Sequence, residues 1–448
     1  MLKYGVIVGS LLVSPGYGQS VADQASFRNM TLGGIHLYGV SAFSGYSTSA
    51  YPGSLGQVPA GADLLGPDVN YGVSASLGWK QHRQRWDFSL LYSGTYGGMV
   101  RYSDANAFSQ SLSFSGSRII RPKLTFAISG SGSDSTMAQF LYQPSNVGLI
   151  SQVPASFDDF AAAFSAGQFT SNQAASLLTG APLLESPARS LLLGDRILSY
   201  SAQTSLQYAY SSRLSFHVAS FAAGGQHRLG ANNTAGQSSV LPRSIGANAG
   251  VGMSYKLSPR TELGVDISGN RLVNRYQSAY TTTASVSVGR KMGTHWFLRA
   301  YGGGSNSQVT SQAFGAPRTK EVTGGGSIGF RTYQNTLAGS YDRAATDVYG
   351  FALGTTTNLS AAWNWQRPGS RWSLFTSYGQ QQIRNTGYAS LSGWQASGGL
   401  AQSLNSHARM TFQYVYMSNA GTYLGNVTNF AVHSVRMSMS WTPQVEVH

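Results

Sequence analysis

The feature that most constrains the fold is an alternation of period two that returns in segment after segment of the chain. Between Tyr71 and Trp79, large or apolar side chains alternate with glycine and serine. Successive side chains of a β-strand point to opposite faces of a sheet, so this pattern predicts strands that each have one apolar face. The same alternation marks residues 86–92, 124–128, 251–257, 263–267, 359–365 and 410–416.

Strand length and the nature of the second face separate this pattern from a soluble β-sandwich. The alternating segments run for about 10–14 residues, whereas strands of soluble proteins usually have about 5–6. The non-apolar face carries Gly, Ser, Thr and Asn, and charged residues make up only 10% of the chain, against about 25% in soluble proteins. Aromatic residues make up 12%, which argues against a disordered chain.

The connections between these segments are alternately short and long along the chain. We place eight short turns near 80–85, 118–123, 211–213, 256–260, 290–295, 333–335, 366–371 and 404–409, and nine longer segments rich in Gly, Ser, Asn and Ala between them. Seventeen connections join about 18 strands, with 16 as the alternative count, and both chain ends fall on the short-turn side. The prediction is an all-β fold, a single transmembrane antiparallel β-barrel, because closure leaves no unpaired sheet edge in lipid.

The N-terminal segment is predicted to be an export signal. Residues 1–20 combine the cation Lys3, the apolar stretch Tyr4–Val13 and small residues at Gly16 and Gly18, as secretory signal peptides do. Ten apolar residues are too few for a transmembrane helix, which needs about 20. We expect cleavage near Gly18, or after Ser20 or Ala22. The predicted domains are therefore a signal peptide over 1–20, a barrel over 21–441 and a tail over 442–448.

The last predicted strand carries the apolar residues Val435, Met437 and Met439 at alternate positions and ends on Trp441. With the pattern of strands and turns over 20–441, this chain resembles the bacterial outer-membrane β-barrel superfamily, and within it the porin-like barrels often associated with exopolysaccharide loci. The resemblance implies the outer membrane of a Gram-negative cell, with outer-membrane lipids and the barrel-assembly machinery as partners. Residues 442–448 depart from it, because that superfamily commonly ends on the aromatic residue.

Tryptophan gives independent support for a membrane interface at one end of the barrel. Seven of the 8 tryptophans lie beside a short turn or at the end of the last strand, and only Trp394 lies elsewhere. Aromatic girdles mark the membrane–water interfaces of such barrels. We therefore assign a girdle to Trp79, Trp86, Trp296, Trp363, Trp365, Trp372 and Trp441.

Basic residues also gather at the short turns of a chain that has 30 Lys and Arg against 16 Asp and Glu. One interpretation is that these side chains reach lipid headgroups. The other is a basic ring at the pore mouth that selects anions. Basic residues that alternate with the apolar, lipid-facing positions should point into the lumen. This rule predicts seven pore-lining cations, namely Lys80, Lys123, Lys256, Arg299, Arg371, Arg409 and Arg436.

The longest predicted connection, 133–196, contains signals for two short helices. Ser156–Asp159 resembles a capping box, and Gly167 and Gly180 are helix stop signals. Such a loop either folds into the lumen as a constriction or lies passively above the membrane. For the constriction we single out Phe157, Phe160, Phe164 and Phe169.

Signals for catalysis or cofactor binding are weak. The chain has no cysteine and no metal-ligand spacing, so we expect no metal and no cofactor. Gly324–Gly329 matches G-x-G-x-x-G, but the alternation continues through it where a helix is required, so it is interpreted as strand glycines. No carboxylate lies close in sequence to His36, His217, His227 or His433, although a barrel can bring distant residues together. We expect no enzyme and no nucleic-acid partner.

These features predict an outer-membrane channel that passes small hydrophilic, anionic solutes. Two alternatives remain open from sequence. One is a barrel that exports an acidic exopolysaccharide, which would meet the same basic mouth. The other is a structural or adhesion barrel with a blocked lumen.

Overall fold

The computed structural model describes residues 36–48, 66–83, 85–101, 107–136, 196–228, 244–274, 277–311, 318–348, 351–385, 389–423 and 426–441. Every regular element within these ranges is a β-strand. No helix in the described part of the chain is long and apolar enough to cross a membrane. The predicted signal peptide, the phenylalanines of the predicted constriction and the C-terminal tail lie outside the described residues.

The described residues form 18 strands of 12–16 residues. In chain order they are β1 His36–Ser47, β2 Asp68–Arg83, β3 Trp86–Met99, β4 Ala107–Arg121, β5 Leu124–Thr136, β6 Arg196–Ala209, β7 Leu214–Arg228, β8 Ser244–Ser258, β9 Thr261–Asn274, β10 Gln277–Met292, β11 Trp296–Ser311, β12 Arg318–Arg331, β13 Asn335–Val348, β14 Phe351–Gln366, β15 Trp372–Asn385, β16 Ala389–Ser403, β17 Ala408–Tyr423 and β18 Asn426–Trp441.

Each strand pairs antiparallel with its neighbours in the chain, and the first strand closes the sheet against the last. The closing seam aligns Val40 with Trp441 and Ser47 with Ser434. The predicted single antiparallel barrel of 18 strands is therefore confirmed, and the alternative count of 16 is wrong. Closure pairs the edges that would otherwise present unsatisfied backbone groups to lipid.

The two ends of the barrel differ in their connections. At one end, here the short-turn end, all eight connections have two to five residues between the strand bounds, as predicted. At the other, the long-loop end, β5 and β6 are separated by 137–195 and β1 and β2 by 48–67. Four predicted longer segments at this end are half strand or more, since only two or three residues separate β9 from β10, β13 from β14, β15 from β16 and β17 from β18.

Polar side chains close several short turns by accepting backbone hydrogen bonds. Ser211 Oγ accepts from the Leu214 amide at 3.0 Å. Asn405 Oδ1 accepts from the amides of His407 at 2.8 Å and Ala408 at 2.6 Å. Serine and asparagine favour tight turns for this reason, which explains why such short connections suffice here.

The two faces of the barrel wall differ as the alternation predicts. On β2, Val69, Val73 and Leu77 are exposed, whereas Ser74 and Ser76 between them are buried. Exposed apolar rows of this kind continue around the barrel. The face that carries Val69, Val73 and Leu77 is therefore the outward face of the wall, and the face that carries Ser74 and Ser76 is the inward face. A globular protein would bury the apolar row, whereas a barrel in lipid presents it to the bilayer.

Candidate functional site

The inward face forms the candidate functional site, and its main component is hydroxyl groups. Serine and threonine side chains on neighbouring strands face each other across the register and pair by hydrogen bonds. The pairs are Ser41–Ser74 at 2.7 Å, Ser89–Ser115 at 2.6 Å, Ser93–Ser111 at 2.6 Å, Ser131–Ser201 at 2.9 Å, Ser133–Ser199 at 2.6 Å, Ser215–Ser254 at 2.7 Å, Thr281–Ser307 at 2.9 Å, Ser340–Ser360 at 2.6 Å and Ser377–Ser397 at 2.5 Å. Small paired hydroxyls leave the lumen side polar and uncharged over much of the wall.

Two arginines stand on the inward face near the closing seam. Arg409 on β17 donates from Nη2 to Ser373 Oγ on β15 at 2.8 Å, so its side chain reaches across β16. The guanidinium of Arg436 on β18 lies over the Phe43 ring of β1, 4.0 Å from the ring centroid. Cation–π contact and hydrogen bonding fix both side chains against the wall while they keep their charge.

A third inward arginine has acidic surroundings. Arg299 on β11 lies within electrostatic reach of Asp266, Glu262 and Asp342. Its guanidinium also lies 5.7 Å from the centroid of the Tyr301 ring. The inward face therefore carries carboxylates as well as cations. The predicted basic ring did not include these carboxylates.

An imidazole–carboxylate pair lies on the same side of the lumen. His217 Nε2 on β7 and Asp266 Oδ1 on β9 are 2.8 Å apart, although the two residues are not on adjacent strands. Gly252 on β8 lies between them in register. A Cβ at Gly252 would collide with both side chains, so only glycine permits the pair. Register thus unites a histidine and a carboxylate that are distant in sequence.

The inward charges are distributed unevenly around the barrel. Arg409 and Arg436 lie on β17 and β18, while Glu262 and Asp266 lie on β9, which is nine strands away from β18. In a closed sheet of 18 strands, that separation is halfway around the wall. Lys256 and Arg299 stand beside these two acids, so that side of the wall carries charges of both signs, whereas β17 and β18 contribute cations.

The remaining predicted pore-lining cations occupy the short-turn end. Lys256 is exposed and stands opposite Glu262 in register. Lys123 donates from Nζ to the Tyr210 carbonyl at 2.9 Å in the next turn, and Arg371 is exposed in the turn before β15. The side chain of Lys80 lies outside the described residues.

All the predicted girdle residues occupy outward-facing positions of their strands. Trp79 packs 5.4 Å from Phe88, and Trp296 packs 4.4 Å from Phe330, between ring centroids. Sequence reasoning missed a second aromatic group toward the long-loop end. There Trp394 stacks 4.8 Å from Tyr416, which in turn meets His433 at 4.8 Å.

Sequence reasoning also missed several inward charges that parity alone could have found. Asp266 alternates with Leu263, Val265 and Ile267 in the same way as Glu262 does. Lys291 and Arg331 share the inward parity of their strands by the same rule. The predicted pore-lining set contains only cations and therefore omits Glu262 and Asp266, and it omits Lys291 and Arg331 although their positions in the alternation are inward.

This arrangement can separate a polar interior from lipid. Among the described residues, no group of three or more His, Cys, Asp or Glu could hold a metal ion. A closed 18-stranded sheet with an apolar exterior and a hydroxyl-bearing interior defines a β-barrel of the bacterial outer-membrane, porin-like type.

Solved structures with a similar course of chain include three Pseudomonas proteins. Pseudomonas aeruginosa OccK2 (OpdF) in complex with glucuronate is 13% identical, with a TM-score of 0.45 over 92% of this chain and 100% of that one. Pseudomonas aeruginosa OpdK with vanillate is 12% identical, with a TM-score of 0.44 over 92% and 99%. A BenF-like porin from Pseudomonas fluorescens Pf-5 is 11% identical, with a TM-score of 0.44 over 92% and 100%. No protein-family model matches the chain, and no curated protein does.

Proposed function

We propose that this barrel is an outer-membrane channel, without enzymatic activity, that passes small hydrophilic solutes and favours anions. The observation that carries the proposal is the combination of an apolar outward face with an inward face of paired hydroxyls and fixed arginines. The hydroxyls keep the inward face polar without adding charge, and a closed sheet separates a path along this face from lipid.

The preference for anions rests on Arg409 and Arg436 on the inward face and on Lys256 and Arg371 at the short-turn end, which faces the periplasm in barrels of this type. The inward carboxylates Glu262 and Asp266 oppose them. We therefore expect a preference that is modest, because fixed charges of both signs act on the same solute.

The test is reconstitution of the purified barrel into planar lipid bilayers. The expected result is stepwise conductance, with a reversal potential in a salt gradient that has the sign of anion selectivity. Absence of conductance steps in a barrel that migrates as folded in unheated gels would favour a blocked structural barrel and contradict the channel. Cation selectivity would contradict the proposed preference alone.

Export of an acidic polysaccharide is separated from solute passage by the same preparation. A small-solute channel should conduct gluconate and remain insensitive to long anionic polymers added on the short-turn side. Reversible block of the current by such polymers from that side would instead support the export alternative.

A further inference from the structure

The seam between β12 and β13 opens toward the long-loop end. Their pairing runs from Arg331 and Thr336 only as far as Gly324 and Arg343, although both strands continue beyond these residues. Three consecutive glycines on β11, Gly302–Gly304, and three on β12, Gly324–Gly326, lie at this height. A Cβ at Gly303 would collide with the Ala284 carbonyl of β10, so the glycine permits a close approach between the backbones of β10 and β11.

Beyond the opened seam, two layers of strand ends overlap. Cα atoms of β10 and β11 come within 8 Å of β14, although β12 and β13 separate these strands in the sheet. Leu272, Ala279 and Val309 form a row across the inward faces of β9–β11 and are only 6%, 4% and 3% exposed. The long-loop end of β14 therefore lies beneath the inward face of β10 and β11.

A cleft of about 330 Å³ lies between the two layers. One wall comes from inward rows and includes Ser307, Thr319 and Glu321. The other wall comes from the outward rows of β13–β15, where Arg343 stands opposite Thr357 and Thr357 opposite Gln382. In the next row, Thr355 stands opposite Arg384. An inward and an outward row can share a cleft only because the seam is open.

The polar groups of this cleft have a definite chemistry. Arg343 and Arg384 bring two guanidinium groups, which bind carboxylate and phosphate oxygens in pairs. Threonine hydroxyls, the Gln382 amide and the Glu321 carboxylate are partners for hydroxyl groups. Arg343 Nη2 lies 3.5 Å from Glu321 Oε2, and both side chains are partly exposed. That distance is long for a charge-assisted hydrogen bond, so the ion pair is weak and a stronger oxyanion can displace it.

We propose that this cleft is a binding subsite for a small polyhydroxylated anion, a sugar acid or a sugar phosphate, that enters from the long-loop end. The inference rests on the proposed function as a channel, and it adds a solute class and a location that the lumen alone does not provide. The oxyanion lies between Arg343 and Arg384, and the hydroxyls of the sugar contact Glu321, Gln382 and the threonines.

The test is isothermal titration calorimetry of the folded barrel in detergent with gluconate, glucose 6-phosphate and glucose. Wild-type protein should bind one or both anions and bind neutral glucose at least about ten-fold more weakly, because glucose leaves both guanidiniums without an oxyanion. Substitutions Arg343→Gln and Arg384→Gln should each weaken anion binding about ten-fold or more. Glu321→Gln should tighten it, because the competing carboxylate is lost.

Arg318→Gln is the matched control, since Arg318 is an exposed arginine at the same end that bonds Asn306 Oδ1 at 3.0 Å outside the cleft. Anion binding that is the same in Arg343→Gln, Arg384→Gln and Arg318→Gln would overturn the subsite, as would equal binding of glucose. Preference for gluconate over glucose 6-phosphate identifies the carboxylate as the oxyanion, and the reverse identifies the phosphate. Binding is measured without a membrane, so the two proposals can fail separately. A barrel that binds the anion but does not conduct would contradict only the channel function. A barrel that conducts but does not bind the anion would contradict only the subsite.

Discussion

Two seams of this barrel differ in length and in what the sequence places along them. β17 and β18 pair over their whole length, from Ala408 and Trp441 to Tyr423 and Asn426. β12 and β13 pair over little more than half of theirs. Valine, methionine and tryptophan side chains fill the outward row of β18 from Val435 to Trp441, whereas β12 carries three glycines in succession. Cross-strand side-chain pairs stabilise a seam, and glycine supplies none.

The largest expected effect comes from a charge placed in the outward row of each seam. Met437 is 50% exposed and stands between Val435 and Met439, well inside the apolar band. Met437→Lys should lower the free energy of unfolding by about 2–4 kcal/mol, the cost of a lysine near the middle of a bilayer. Val322 is 76% exposed on the part of β12 that does not pair with β13, and Val322→Lys should cost about 0–1 kcal/mol, as for a site near the interface.

Urea titration in lipid vesicles, followed by tryptophan fluorescence, measures both values. Equal losses for the two variants would place Val322 at the same depth as Met437 and would remove the distinction between the seams.

The sequence predicts the well-paired seam far better than the open one. Along β18, alternation and a final tryptophan define the strand and its outward row directly. Along β11–β14, the strand ends beyond the apolar band carry Gly, Ser, Thr and charged residues on both faces, so 307–321 and 343–355 look like loops. The strand ends there depend on backbone pairing with neighbours, which leaves no periodic trace in the side chains.

The candidate site divides in the same way. Parity places Arg299, Arg409 and Arg436 on the inward face, because the apolar row beside each of them is continuous. The pairing of His217 with Asp266 depends on the register of three strands and on Gly252 between them, which parity does not encode. Cross-strand contacts of this kind need the fold.

Gly252→Ala should have the second largest effect. The new methyl group would collide with His217 and Asp266, and we expect the variant to lose about 1–3 kcal/mol of stability through overpacking and the broken pair. Gly246→Ala, on the same inward row of β8, is the control because its Cβ would meet Leu272 Cδ1 at an ordinary 3.6 Å.

The temperature at which the folded band disappears from unheated gels compares the two variants. A Gly252→Ala barrel as stable as Gly246→Ala would show that the His217–Asp266 pair gives way without cost.

The seams also differ in charge, and a smaller effect follows from that. Changing both Arg409 and Arg436 to Glu replaces the cations near the closing seam by anions, while Glu262 and Asp266 remain on the far wall. The ratio of anion to cation permeability should fall about ten-fold, equivalent to roughly 1.4 kcal/mol, and the selectivity should reverse. The reversal potential in a salt gradient measures it.

Arg318→Glu with Lys320→Glu changes the net charge by the same amount on exposed outward positions at the long-loop end. If this control reverses the selectivity as strongly, the total charge of the barrel determines it, and the inward position of Arg409 and Arg436 has no special role.

The smallest expected effect concerns the hydroxyl pairs that line the inward face. Ser377 and Ser397 are each 6% exposed, and their Oγ atoms are 2.5 Å apart. Ser377→Ala leaves the Ser397 hydroxyl buried without this partner and should cost about 1 kcal/mol, whereas changing both serines to Ala should cost less than either single change. Ser215 and Ser254 pair at 2.7 Å but are only partly buried, so the corresponding single change should cost less, because water can replace the lost hydroxyl.

A double-mutant cycle in urea measures each coupling energy. Equal couplings for the two pairs would mean that water reaches Ser377 and Ser397 as readily as Ser215 and Ser254, and that the lumen beside β15 and β16 is as open as beside β7 and β8.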